Sequence, residues 1–205
     1  MEKAVFIDRD GTINVDKHYL YKKEDFEYLP GAREGLKILQ DLGYLLIIVT
    51  NQSGIARGYF DEEAYLELDK SMKADLLLHG INLTDSYYCP HLIDGTIKKY
   101  AIDCECRKPK LGLFERAIKD HNIDINKSIV IGDSPRDIGL AGNNKYVKGF
   151  LLYQNFDMQQ ENIYYMKGGL LEVAEKVKED ARMDALNNRG KNLFIRNLKK
   201  WFLSR

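Results

Sequence analysis

The sequence predicts an α/β fold: a parallel sheet with helices packed on both faces. Three observations carry this. Short apolar runs recur along the chain, at Ala4–Ile7, at 44–49 and at 128–131. They are too continuously apolar for a strand with one wet face, which fits strands buried on both sides. Segments with helical spacing alternate with them. Finally, three of the runs end in polar tips. These are Asp8-Arg9-Asp10-Gly11-Thr12, Thr50-Asn51-Gln52-Ser53 and Gly132-Asp133-Ser134. A parallel sheet gathers such tips at one edge, where ligands bind.

The elements follow in order. Ala4–Ile7 is the first strand. Residues 31–42 carry Leu36, Leu39 and Leu42 at helical spacing, and Gly43 stops the helix. Residues 44–49 are rich in long and β-branched apolar side chains and form the second strand. Asp61 is placed to cap a long helix reaching about His79, ahead of Gly80. Residues 86–88 are a third strand, 111–121 a helix and 128–131 a fourth strand. A further helix is expected from Pro135, then a last core strand over Lys148–Leu152.

The chain has 205 residues, 44% hydrophobic, enough for one buried core. Charged residues make up 30% and balance to zero, so nothing global calls for a nucleic-acid partner. The apolar start is too short for a signal peptide and ends in Asp8, and no run could span a bilayer. The expectation is a cytoplasmic monomer.

The polar tips suggest chemistry. Asp8 and Asp10 lie just after a buried strand, where paired carboxylates are costly unless a cation offsets them. Mg²⁺ suits a couple of carboxylates plus water and phosphate, and Asp8 and Asp133 could supply them. Asp8 could then attack phosphorus, giving an aspartyl-phosphate. Asp10 could protonate the leaving alcohol and later take a proton from water. The Thr50 hydroxyl and Lys108 could hold the phosphoryl oxygens.

Asp8-Arg-Asp-Gly-Thr12, Thr50-Asn-Gln52, Lys108 and Gly132-Asp133 resemble the four motifs of the haloacid dehalogenase superfamily of phosphatases. The resemblance covers roughly residues 4 to 153. It implies a Rossmann-like, doubly wound sheet, a Mg²⁺ cofactor and the roles just given. It also implies that the Asp10 backbone carbonyl joins Asp8 and Asp133 as a metal ligand.

Cys89-Pro-His91 and Cys104-Glu-Cys106 are two ligand pairs with 12 residues between them. Three thiols and an imidazole satisfy tetrahedral Zn²⁺ in a closed structural site. The alternatives are three buried free cysteines, or a zinc ribbon for nucleic acid, which the neutral charge and the lack of basic–aromatic interleaving disfavour. The fold class is thus α/β with a small zinc-stapled loop insert, residues 89–106. Arg107, Lys108 and Pro109 follow at once, so the loop is expected to orient both cations toward a substrate.

The zinc loop with Cys106-Arg-Lys-Pro109 is similar to two families, the heptose 1,7-bisphosphate 7-phosphatases and the histidinol-phosphate phosphatases. Thr50-Asn-Gln-Ser-Gly-Ile-Ala-Arg-Gly58, Thr12-Ile-Asn-Val-Asp16 and Tyr87-Tyr-Cys-Pro-His91 resemble the heptose family more closely. That resemblance implies a sugar bisphosphate substrate contacted by Asp16, Lys17, His18, Tyr19, Thr50, Asn51, Gln52, Ser53, Arg107 and Lys108. A second phosphate needs a cation, for which Arg107 or Arg57 is available. Some family members carry a lysine where this chain has Ser134, with Arg136 and Asp137 close by.

Residues 1–180 are expected to form the phosphatase domain and 181–205 a basic amphipathic tail. In the tail, Phe194, Ile195, Leu198, Trp201 and Phe202 share one helical stripe, with Arg196, Lys199 and Lys200 opposite. Docking on the protein itself or on a twin subunit is the plainer expectation for it, contact with an anionic membrane surface the alternative. A non-catalytic zinc-stabilised binding module is the competing reading of the whole chain, with no evident need for Asp8, Asp10 and Asp133 together.

Overall fold

The computed structural model describes residues 1–153 and 160–203, with side chains described up to 187. Six strands form one parallel sheet: β1 (Ala4–Ile7), β2 (Leu45–Asn51), β3 (Leu83–Cys89), β4 (Ile129–Gly132), β5 (Lys148–Leu152) and β6 (Ile163–Met166). Their order is β3-β2-β1-β4-β5-β6. The chain winds outward from β1 in one direction and then, from β4, in the other. The switch point therefore lies between β1 and β4, where this architecture opens a ligand crevice.

The helices are α1 (Ala32–Asp41), α2 (Glu62–Leu78), α3 (Gly112–Asp120), α4 (Gly139–Asn143) and α5 (Leu170–Leu203). Strand side chains alternate between faces, and the core divides accordingly. Val5, Ile7, Ile48 and Ile131 pack with Leu36 and Leu39 of α1, Met72 and Leu76 of α2, and Leu170 and Val173 of α5. Ala4, Phe6, Val49 and Val130 pack on the other side with Leu113 and Phe114 of α3 and Leu140 of α4. The sheet is doubly wound as expected.

Local signals match the elements where they are chemically specific. The Asp61 carboxylate accepts a hydrogen bond from the Ala64 N–H at 2.9 Å and caps α2. Gly43 ends α1 with a φ of +83°, which a side chain disfavours. Several boundaries differ from expectation. Tyr44 stays outside β2, which instead runs on to Asn51, because its register on β3 continues to Asn51↔Cys89. The helix expected from Pro135 begins only at Gly139. Residues 134–138 form a turn in which the Ser134 N–H donates to the Asp137 carboxylate at 3.0 Å.

β6 is an addition. It pairs in parallel with β5, from Gly149↔Ile163 to Leu152↔Met166. α5 runs without a break through residue 180, where a tail was expected to start. The apolar stripe and basic face expected beyond residue 190 lie outside the residues whose side chains are described. No helix among the described residues is long and apolar enough to cross a membrane.

Candidate active site

The tips of β1, β2 and β4 meet at the switch point around a cavity of about 230 Å³. Asp8 leaves β1 almost fully buried, and Lys108 reaches it from the far side of the 89–106 insert. The Lys108 ammonium donates to Asp8 Oδ1 at 2.6 Å and to the Val49 carbonyl at 2.6 Å. It also pairs with Asp137 Oδ1 at 2.7 Å. Burial opposes its charge, but Asp8 and Asp137 outweigh that and hold its pKa above the ordinary lysine value.

Asp8, Asp133 and Asp137 each place a carboxylate oxygen within 4.8 Å of the others. Lys108 is the buried cation among three carboxylates, two of them buried, and the half-exposed Arg136 approaches Asp137 only at 3.9 Å. Burial accordingly pushes the Asp8 carboxyl up to about 7, with Lys108 opposing and Asp137 and Asp10 adding to the rise. Asp133 is pushed up to about 6 by burial and then by Asp137. Such a cluster is an acceptor-rich pocket that a hard divalent cation would complete. Gly11 makes the convergence possible. Its φ is +81°, and a Cβ there would stand 2.3 Å from Asp133 Oδ2.

Asp10 has a different environment. Arg9 Nη2 donates to its Oδ2 at 2.9 Å, Gln52 Nε2 to the same oxygen at 2.9 Å, and Asn14 Nδ2 to its Oδ1 at 2.9 Å. Burial opposes ionisation of Asp10, but Arg9 and the amide donors prevail and keep its carboxyl below the usual range. Its side chain is committed to these donors, which leaves its backbone carbonyl as the group it could offer a metal. Gln52 Nε2 also donates to Thr50 Oγ1 at 2.9 Å, fixing that buried hydroxyl at the end of β2.

The residues expected to touch substrate divide into two groups. Asp16, His18, Tyr19, Thr50, Asn51, Gln52 and Ser53 line the cavity. Lys17 is turned away to Glu27, at 3.1 Å. Arg107 donates to the His91 carbonyl at 3.2 Å and does not line the cavity. Asn51 lines the wall but is also a clamp. Its Oδ1 accepts from the Lys108 N–H at 3.0 Å and its Nδ2 donates to the Lys108 carbonyl at 3.1 Å.

Arg136 and Asp137, noted in the sequence only as neighbours of Ser134, both line the cavity. Spacing from Asp133 did not reveal the role of Asp137, because the turn at 134–138 is what folds it back. Arg57 does not line the cavity, but its guanidinium carbon lies 5.9 Å from the ring centre of Tyr19, which does.

The three thiols and the imidazole of the 89–106 insert also converge. Cys106 Sγ lies 3.2 Å from Cys89 Sγ, 3.2 Å from Cys104 Sγ and 3.2 Å from His91 Nδ1. Beyond this cluster the insert leans on the loop after β2. The Ile97 N–H donates to the Ala56 carbonyl at 2.9 Å, and Thr96 Oγ1 to the Arg57 carbonyl at 2.9 Å.

Comparison with known proteins places this geometry. The family model described as polynucleotide kinase 3 phosphatase matches residues 3–165. A D-glycero-beta-D-manno-heptose-1,7-bisphosphate 7-phosphatase of Pasteurella multocida is 47% identical over 152 residues, 74% of this chain and 82% of the relative. The chain belongs to the haloacid dehalogenase superfamily of phosphatases. Within it, a D-glycero-alpha-D-manno-heptose-1,7-bisphosphate 7-phosphatase of Campylobacter jejuni is 40% identical, covering 86% of this chain and 96% of its own length. Among solved structures of the superfamily, the D,D-heptose 1,7-bisphosphate phosphatase of B. bronchiseptica, complexed with magnesium and phosphate, superposes with a TM-score of 0.72. It is 25% identical and covers 87% of this chain and 99% of its own.

Proposed function

We propose that the chain is a Mg²⁺-dependent phosphatase that removes the C7 phosphate of D-glycero-D-manno-heptose 1,7-bisphosphate through an aspartyl-phosphate on Asp8. The observation that carries this reading is the meeting of Asp8, Lys108, Asp133 and Asp137 at the sheet's switch point, beside a cavity lined by most of the residues expected to touch sugar. The names of the curated relatives support the substrate.

Asp8 and Asp133 fit Mg²⁺, with Asp137 beside them, and the family resemblance adds the Asp10 carbonyl; the oxygen-only donor set suits a hard cation. When bound, the cation neutralises the carboxylates and draws charge from the phosphoryl oxygens. An oxygen of Asp8 attacks phosphorus, and the bond from phosphorus to the sugar oxygen breaks. Lys108 and Thr50 hold phosphoryl oxygens as charge shifts onto them. Asp10 rests as a carboxylate, so the proton enters with the substrate. A phosphate monoester monoanion passes its proton to Asp10, which delivers it to the departing sugar oxygen. Water then attacks phosphorus of the acyl phosphate, Asp10 takes a proton from that water, and the bond to Asp8 breaks to release inorganic phosphate.

The Cys89, His91, Cys104 and Cys106 cluster fits Zn²⁺. Burial pushes the Cys89 and Cys106 thiols up, a cost that a bound cation offsets. Four protein ligands leave no open position, so the metal is structural. Elemental analysis should find about one zinc per chain, and chelation should lower the melting temperature. A zinc-free chain with unchanged melting and kinetics would remove this assignment.

The relatives' names include both anomers, so the deciding assay uses both. Phosphate release is measured with Mg²⁺ on each heptose 1,7-bisphosphate and on histidinol phosphate. Strong preference for a heptose substrate supports the reading. Preference for histidinol phosphate would keep the chemistry and replace the substrate. No hydrolysis of any would leave a binding module.

A further inference from the structure

Arg9 separates the two catalytic carboxylates in sequence, yet its side chain is completely buried. A buried guanidinium is costly unless its donors are used. Here Nε and Nη2 form a fork on Asp10, with all four N–O distances between 2.9 and 3.2 Å, while the buried Nη1 has no hydrogen-bond partner. Nη2 also donates to the Leu20 carbonyl at 3.2 Å. The Arg9 guanidinium carbon lies 5.4 Å from the ring centre of Tyr65, which belongs to α2 and is itself buried.

Leu20 closes the segment that carries Asp16, His18 and Tyr19 into the cavity. That segment is strained: His18 and Tyr19 have φ values of +54° and +67°. It needs an anchor at its end, and Arg9 provides one. The same guanidinium thus holds the proton-transfer carboxylate and the end of the substrate-facing segment.

We propose that Arg9 is a positioning residue, which fixes the Asp10 carboxylate for proton transfer and locks it in register with the 16–20 segment. The proposal rests on the phosphatase reading and on Asp10 as its proton-transfer group. A lysine would keep the charge but lose the planar fork. The consequence is selective. A leaving group that needs its proton should suffer when Asp10 is misplaced. A good leaving group, such as nitrophenolate, should not.

The test compares wild type, Arg9→Lys, Arg9→Met and Asp10→Asn at saturating Mg²⁺. First-turnover release of the leaving group is measured with heptose 1,7-bisphosphate and with p-nitrophenyl phosphate. The ratio of the two rates within one preparation cancels the fraction of folded protein. Arg9→Lys and Arg9→Met are expected to slow the sugar substrate by on the order of 10- to 100-fold, and nitrophenyl phosphate by less than about threefold. Equal loss on both substrates, or no loss on either, overturns the proposal if Asp10→Asn is itself selective. If Asp10→Asn slows both equally, the proton-transfer assignment of Asp10 fails, and the proposal falls with it.

Discussion

Asp8 and Asp10 stand two residues apart and are treated oppositely by the fold. Asp8 faces a region short of cations, with Asp133 and Asp137 around one buried lysine and the more exposed Arg136, and burial pushes its carboxyl up to about 7. Asp10 faces a region rich in N–H donors, which outweigh its burial and keep its carboxyl low. The difference assigns the work. The first region is incomplete without a cation. The second gives the Asp10 carboxylate its donors from within the chain, and suits a group that must hold one orientation while protons come and go.

The largest effect expected is on the first region. Asp8→Asn keeps the shape and removes the nucleophile, so phosphate release should fall on the order of 10⁴-fold or more. Retention of even a tenth of the activity, read by the same assay, would transfer the nucleophile to another group. Lys108→Met removes the cation shared by Asp8 and Asp137. A fall of roughly 10²–10³-fold in kcat is expected. Stability should drop by roughly 3–5 kcal/mol near neutral pH, because a buried pair loses one partner. Chemical denaturation should show a smaller loss in acid, where the stranded carboxylates take up protons.

Gly11→Ala sharpens the comparison without touching a charge. The new methyl would meet Asp133 Oδ2 at 2.3 Å while the backbone holds a φ of +81°. Mg²⁺ dependence of the rate should shift to roughly 10–100-fold higher concentrations. An unchanged Mg²⁺ requirement would place the metal away from Asp133.

The smallest effect is on melting. Asp8 and Asp133 titrate above the ordinary carboxylate value, so the folded metal-free protein holds protons that the unfolded chain has released. Their contribution therefore lowers stability as pH rises from roughly 4 toward 7. Mg²⁺ binding requires both as carboxylates and offsets that loss. Added Mg²⁺ should raise the melting temperature by a few degrees more at about pH 7.5 than at about pH 5.5. Equal increments at both would mean that these carboxylates are not the ligands.

The sequence carried much of this because buried strands ending in polar tips have few other physical explanations. It placed Asp8, Asp10, Thr50 and Asp133 at strand ends, and Cys89, His91, Cys104 and Cys106 in one cluster. Other features depend on tertiary contacts. Asp137 enters the site through a turn that pattern reading took for a helix. β6 is only four residues long and has meaning only as a neighbour of β5. The commitment of Arg9 to Asp10 is invisible in a string where an arginine between two aspartates reads as a surface charge. Lys17 and Arg107 show the converse, since both carry the right charge and are drawn elsewhere, to Glu27 and the His91 carbonyl.

The Asn51 clamp has an architectural consequence. One amide at the tip of β2 grips both the N–H and the carbonyl of Lys108, as a neighbouring strand would. Lys108 is therefore docked to the sheet and not merely carried by the insert that precedes it. That grip lies outside residues 92–103, so a change of composition within that stretch is expected to leave the ammonium beside Asp8.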